Sequence, residues 1–243
     1  MMNTGKAMMV MLAAVILSAT AASAGELKNL KVFPADTGKE KVIEVMKTWT
    51  SALGVRCDHC HVQAVPGDFQ SFDFASDDKP EKGVARGMMR MVQNINGKLL
   101  PQATGENDAA ISCVTCHRGV THPAPLDQIM LMTVQTKGVD AAVERYHNLH
   151  ERFYGRGTYD FGPQSLVPAI DILAAEGGDM AAAQALMDLT VELYPDDANS
   201  RVRLAHLLWR RGDKAGASAA LAKALELDPQ NRFALRLQQQ LER

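Results

Sequence analysis

Apolar residues recur at three-to-four spacing in two stretches of the first half of the chain. Val42, Val45, Met46, Trp49 and Leu53 predict a helix over 39–53, with Gly54 as its stop. A second helix is predicted over 80–100. Asp77 and Asp78 lead into Pro80, and Val84, Met88, Met91, Val92, Ile95 and Leu99 gather on one side. Between the two, residues 62–79 are polar and punctuated by Gly and Pro, which reads as a loop. A second loop is expected over 101–110, and a linker over 120–126, where Pro123 and Pro125 fall. Beyond the linker the pattern stays helical. Residues 129–136 and 139–154 suggest a hairpin, followed by a loop over 155–164.

The last part of the chain repeats itself. A shift of 34 residues aligns Gly178 with Gly212, Asp179 with Asp213, Ala183 with Ala217, Met187 with Leu221, Leu193 with Leu227 and Pro195 with Pro229. This period, with small residues inside and proline at the end, resembles the tetratricopeptide repeat, in which each helical hairpin buries a face against the next. Val167 and Arg201 stand where that repeat usually carries an aromatic residue, and the helix from Arg232 reads as a polar cap. The expected fold class is mostly α, with helices and loops over 25–125 and a helical-hairpin repeat domain over 126–243.

Residues 1–24 read as an export signal. Lys6 supplies the positive end, 8–17 the apolar run, and Ala22-Ser23-Ala24 the cleavage site. Cleavage near Ala24 would give a soluble protein, periplasmic or otherwise exported. Losing the leader removes one lysine and no acid, so the formal charge moves from −2 to −3. A negative surface argues against nucleic acid and anionic membrane as partners. Aromatic residues are few, with 7 Phe, 4 Tyr and 2 Trp, which leaves room for a cofactor to supply part of the core.

All 4 cysteines fall in two Cys-x-x-Cys-His pentapeptides, Cys57-Asp58-His59-Cys60-His61 and Cys113-Val114-Thr115-Cys116-His117. The pattern indicates covalent attachment of two c-type haems, with thioether bonds from Cys57, Cys60, Cys113 and Cys116. His61 and His117 would bind iron from one face, and His59 is a spacer. A four-cysteine zinc site would need the two pairs to meet, and would not call for a histidine after each. A dithiol redox centre would need one pair on a strand–helix–strand unit, for which no strand pattern is present.

The sixth iron position decides between electron transfer and catalysis. Met46 stands eleven residues before Cys57 on the first helix. Helix from Met46 to Gly54 measures about 12 Å, close to the width of a porphyrin. The helix could therefore lie along one haem face, with the chain reversing at 54–56, which makes Met46 a distal ligand.

The stretch from Met46 through Leu53-Gly54-Val55-Arg56 to the first pentapeptide resembles the haem-binding unit of the multihaem cytochrome subunit of photosynthetic reaction centres. So do GMMRMVQNIN at 87–96 and CVTCHRGVTHPAPL at 113–126. The resemblance covers about residues 40–126. It implies a helix packed on each haem ahead of its attachment motif, with Met46 as the first distal ligand and Met91 as the second. Those subunits typically carry four haems, and one site takes its distal ligand from a histidine elsewhere. Met88, one turn from Met91, is the natural substitute, while Met89 faces elsewhere. His122, His147, His150 and His206 are the histidine options. Arg56, Arg86, Arg90 and Arg118 could pair with haem propionates.

The expected function is a dihaem c-type cytochrome that carries electrons between redox partner proteins, membrane-bound ones among them. The helical repeats would serve as its docking surface, with no small-molecule substrate. The alternatives are a dihaem peroxidase-like enzyme and a haem-based redox sensor, both of which need an open site at the second haem.

Overall fold

The structure is a computed structural model describing residues 27–105 and 109–241. The leader expected over 1–24 lies outside the described residues. Helix α1 spans Lys39–Leu53 and ends where Gly54 turns left-handed (φ +66°). There the amide of Val55 donates back to the Thr50 carbonyl at 3.1 Å. The segment expected to be a plain loop contains a small ribbon. Strand β1 (Val62–Gln63) pairs antiparallel with β2 (Phe72–Asp73), with Val62 opposite Asp73. Two-residue strands are too short to leave an alternating signature in sequence.

Helix α2 covers Pro80–Asn94 and does not stop at residue 100. It passes through a widened π turn, Ile95–Leu99, into α3 (Leu100–Thr104), and closes at Gly105 (φ +73°). Pro101 has no N–H to give to residue 97, and its ring would crowd that carbonyl. The π turn loosens the ladder just ahead of it, so the proline is accommodated where a break was expected.

The second pentapeptide is itself a short helix, α4 (Cys113–His117), opened by a capping box between Ser112 and Thr115. Then come α5 (Leu126–Lys137), α6 (Val139–Phe153), α7 (Val167–Leu173), α8 (Met180–Leu193), α9 (Ala198–Arg210), α10 (Lys214–Leu227) and α11 (Arg232–Leu241). The residues aligned by the 34-residue shift have structural jobs. Asp179 caps α8 through the Ala182 amide, and Asp213 caps α10 through the Gly216 amide, each at 2.9 Å. Asp197 and Asn231, also 34 apart, cap α9 and α11. Ala183 and Ala217 are fully buried where neighbouring helices cross.

Burial is uneven along the chain. One apolar cluster runs from Leu126 to Leu207, and a second joins α9, α10 and α11. Among the described residues before Leu126 the buried apolar ones are Val42 and Ala52. Among the described residues no helix is long and apolar enough to cross a membrane.

Candidate functional site

The two pentapeptides are tied together by the helices that precede them, but not in chain order. Helix α1, which leads into the first motif, packs its C-terminal end against the second. The Gly119 amide donates to the Ala52 carbonyl at 2.7 Å. A Cβ placed on Gly54 would lie 2.9 Å from the Gly119 carbonyl carbon. Helix α2, which leads into the second motif, begins beside the first. Lys79 donates to the Asp58 carbonyl inside the first pentapeptide. Lys82 donates to the carbonyls of Phe74, Ala75 and Ser76, and Arg86 to the Asn29 carbonyl and to Asp77.

Asp77 collects these cations. It pairs with Lys31 at 2.6 Å, Arg86 at 2.8 Å and Lys82 at 3.3 Å. The hydrogen bonds from Lys31 and Asn29, then those from Arg86 and Lys82, hold its carboxyl well below the usual carboxylate range. Lys82 and Arg86 are buried and Asp77 is not, so the cluster pins the ribbon loop to α2 from the inside. Arg86 is therefore committed to Asp77 and the Asn29 carbonyl.

At the first motif, Cys57 is exposed and Cys60 half-buried, and both are free thiols. Burial pushes the Cys60 thiol up, with Glu81 adding to it. The His61 ring meets Phe74 edge-on at 5.1 Å, within a cluster that includes Phe69 and Phe72. Burial, and then the Lys82 charge, lower the His61 pKa, which favours the neutral imidazole. Its Nδ1 is buried with no hydrogen-bond partner. The Phe74 carbonyl beside the ring acts in the opposite direction on the pKa, and it also accepts from Lys82. Met46 is half-buried on α1.

At the second motif, His117 is buried and its Nδ1 lies 2.9 Å from the Val120 carbonyl. A carbonyl only accepts, so Nδ1 carries the proton and the Nε2 lone pair is free for a metal. Two cavities flank this motif. One of about 250 Å³ lies between α1 and α2 and is bordered by Trp49, Ala52, Met89, Val92 and Cys113. The other, of about 570 Å³, is bordered by Cys116, His117 and Arg118 and, across from them, by Thr158, Tyr159 and Asp160. Volumes of this order hold cofactor-sized groups.

Asn96, on the π turn, had no flag in the sequence. Its side chain both donates to the Ile111 carbonyl and accepts from the Ile111 amide, each at 2.8 Å, and so fixes the chain just before Ser112. Arg118 is one of the candidate propionate partners. It adopts a left-handed conformation (φ +47°), which costs a non-glycine residue about 1 kcal/mol.

The methionines of α2 divide differently from their positions on an ideal helix. Met89 borders the Cys113 cavity, while Met88 and Met91 are 38% and 49% exposed. Of the four later histidines, His122 contacts Thr121, His147 and His150 pack in the aromatic cluster around Tyr146, and His206 lies beside Trp209. Among the described residues no three His, Cys, Asp or Glu side chains gather at metal-ligating spacing, so the cysteine pairs do not meet as a zinc site would require.

Residues 5–154 match the photosynthetic reaction centre cytochrome c subunit family. The chain belongs to that family. It is 34% identical over 68 residues to cytochrome c-554 of Chloroflexus aurantiacus, a stretch that is 28% of this chain and 14% of that protein. It is 31% identical over 91 residues to the photosynthetic reaction center cytochrome c subunit of Roseobacter denitrificans, covering 37% of this chain and 23% of that one. The matched part thus spans less than a quarter of either curated relative.

A c-type cytochrome family holds haem c covalently, and three features of this structure fit that group. Each motif offers two unpaired thiols and an imidazole nitrogen without a protein partner. Cofactor-sized space adjoins the second motif. On the helices and loops that carry the motifs, Ile43, Phe69, Phe74, Val84, Met91 and Val114 stand exposed among the described residues. An uncovered apolar surface of this extent in a part of the chain with almost no core calls for an apolar group to complete it.

Proposed function

We propose that the chain is an exported, periplasmic c-type cytochrome with two haems that carries electrons between redox proteins. Cys57 and Cys60 would hold one haem and Cys113 and Cys116 the other, with His61 and His117 as the proximal iron ligands. Met46 on α1 and Met91 on α2 would take the opposite faces. What supports this reading is the pair of Cys-x-x-Cys-His motifs, with the His117 Nδ1 beside the Val120 carbonyl and the His61 Nδ1 unpartnered, set among apolar side chains that stand exposed among the described residues.

Haem iron supplies a one-electron couple, and histidine–methionine ligation raises its potential. The protein's residues set the rest. Val120 orients the His117 ring through Nδ1, and Asn96 holds the backbone leading into that motif. Lys82 and Arg86 keep the ribbon loop closed on the first motif. A thioether on one face and an imidazole on the other leave no open position for a substrate, which favours a carrier over an enzyme.

The division into a dihaem part over 25–125 and a helical-repeat part over 126–243 belongs to the same proposal. Stacked hairpins present an extended surface, and that surface suits docking of a partner. The relative from Roseobacter denitrificans is a reaction centre subunit, so a membrane-bound redox complex is the partner class proposed here.

The test is the intact mass of the exported holoprotein together with a redox titration followed by absorption. Two covalent haems, both low-spin, are expected. A methionine–iron(III) charge-transfer band should diminish in both Met46→Ala and Met91→Ala. A high-spin haem that binds carbon monoxide in the unaltered protein would refute the carrier reading, and absence of covalent haem would refute the site assignment altogether.

A further inference from the structure

The open cavity beside Cys116 and His117 is lined in part by a segment that follows α6. Thr158, Tyr159 and Asp160 border it together with Arg118 and His117. This segment lies beyond residue 154, where the family match ends.

The segment is latched at both ends. On the motif side, the Thr158 hydroxyl donates to the Arg118 carbonyl at 2.7 Å, and Arg118 Nη1 donates to the Gly157 carbonyl at 3.3 Å. Two bonds between the same short stretches hold Arg118 in its left-handed conformation directly after the iron-binding histidine. On the other side, the Tyr159 ring packs at 5.3 Å from Phe153 and 6.0 Å from Phe161, and both of those rings are buried in the core of the helical part. Burial raises the Tyr159 pKa, so its phenol keeps its proton at neutral pH. Asp160 is fixed by its own turn, accepting from the Gly162 amide at 2.8 Å. The first motif has nothing equivalent, because its surroundings come from the ribbon loop and α2.

We infer that residues 157–160 form a built wall of the second haem site, through which the helical region positions that haem and sets its potential. The inference rests on haem attachment at Cys113 and Cys116 as proposed above. Thr158 is a positioning residue that acts through Arg118 and His117. Asp160 is a fixed negative charge at the cavity. Ferric haem carries one more positive charge than ferrous haem, so a carboxylate there favours the oxidised form and lowers the potential.

Three variants of the holoprotein test this: Asp160→Asn, Thr158→Val and, as a control carboxylate elsewhere on the surface, Asp196→Asn. Intact mass first confirms two haems in each; loss of the second haem from the unaltered protein would overturn the site assignment and the wall with it. Each haem's midpoint is then titrated separately, and the paramagnetic NMR shifts of each haem are recorded. Asp160→Asn is expected to favour reduction of the second haem by about twofold, the size of the effect of an exposed carboxylate about 10 Å away. The first haem and the Asp196→Asn protein should not move. Thr158→Val is expected to shift the NMR signals of the second haem alone. Equal shifts at both haems, or unchanged potentials and spectra at the second haem, would overturn the inference.

Discussion

Gly54 offers the sharpest test of the way the two motifs share one frame. It ends α1 in a left-handed conformation (φ +66°), and it sits against the Gly119 carbonyl just past the second motif. Gly54→Ala meets two penalties. The left-handed backbone costs an alanine about 1–2 kcal/mol. The methyl group, 2.9 Å from the Gly119 carbonyl carbon, must also push α1 away from the motif. That movement strains the 2.7 Å bond from the Gly119 amide to Ala52, worth about 0.5–1.5 kcal/mol. The sum is about 2–3 kcal/mol, or a Tm lower by about 5–10 °C for a chain of this size. Gly67 is the matched control. It too is left-handed (φ +85°), but nothing lies within 4 Å of the position its Cβ would take. Gly67→Ala should therefore lose only the backbone part, about 1–2 kcal/mol. Urea and thermal unfolding of the two holoproteins measure the difference. Equal losses, or a second-haem spectrum that is unchanged in Gly54→Ala, would refute the claim that α1 is wedged against the second motif.

Asn96→Ala removes both hydrogen bonds to Ile111 and should cost about 1–3 kcal/mol, read from the urea midpoint, with a broader or shifted signal from the second haem alone. Asp77 has a depressed folded pKa, so its contribution to stability is full above the unfolded value near 3.9 and is lost as pH falls below that toward the folded value. Asp77→Asn should thus flatten the acid limb of the stability–pH curve below about pH 4, and the ribbon loop should become open to proteolysis at neutral pH. Replacing Cys57, Cys60, Cys113 and Cys116 with alanine should leave 27–125 protease-sensitive while 126–241 stays resistant, because the first part has almost no apolar core of its own.

The mostly helical architecture was legible because it rests on periodicity and repeats. The stop of α1 at Gly54 could be read directly, since it is a local effect of one residue type, and Asp179 and Asp213 stood out as aligned positions whose capping the structure then shows. The continuation through Pro101 could not, because a proline says break unless the preceding turn widens, and Ile95–Leu99 carries no sequence mark of that. The ribbon between Val62 and Phe72 was hidden for a different reason: its two-residue strands leave no alternating pattern to read. At the site, the thiols and histidines were visible as a motif. Asn96 and Thr158 were not, because their contacts reach across 15 and 40 residues of chain that no local pattern encodes.

Chain order suggests two independent units, each a helix followed by its attachment motif. The packing crosses them over. Helix α1 precedes the first motif and is wedged against the second, while α2 starts at the ribbon loop of the first motif and ends by holding the backbone that leads into the second. A single helix therefore links both sites, from Lys79 beside Asp58 at one end to Asn96 beside Ile111 at the other. Fixing one helix at both of its ends sets the separation of the two motifs rigidly, in a part of the molecule where little other protein packing exists to do so. In the proposed dihaem reading, electron transfer between the haems would depend on that separation, and the shared helix would keep it constant while residues 157–160 adjust the second site alone.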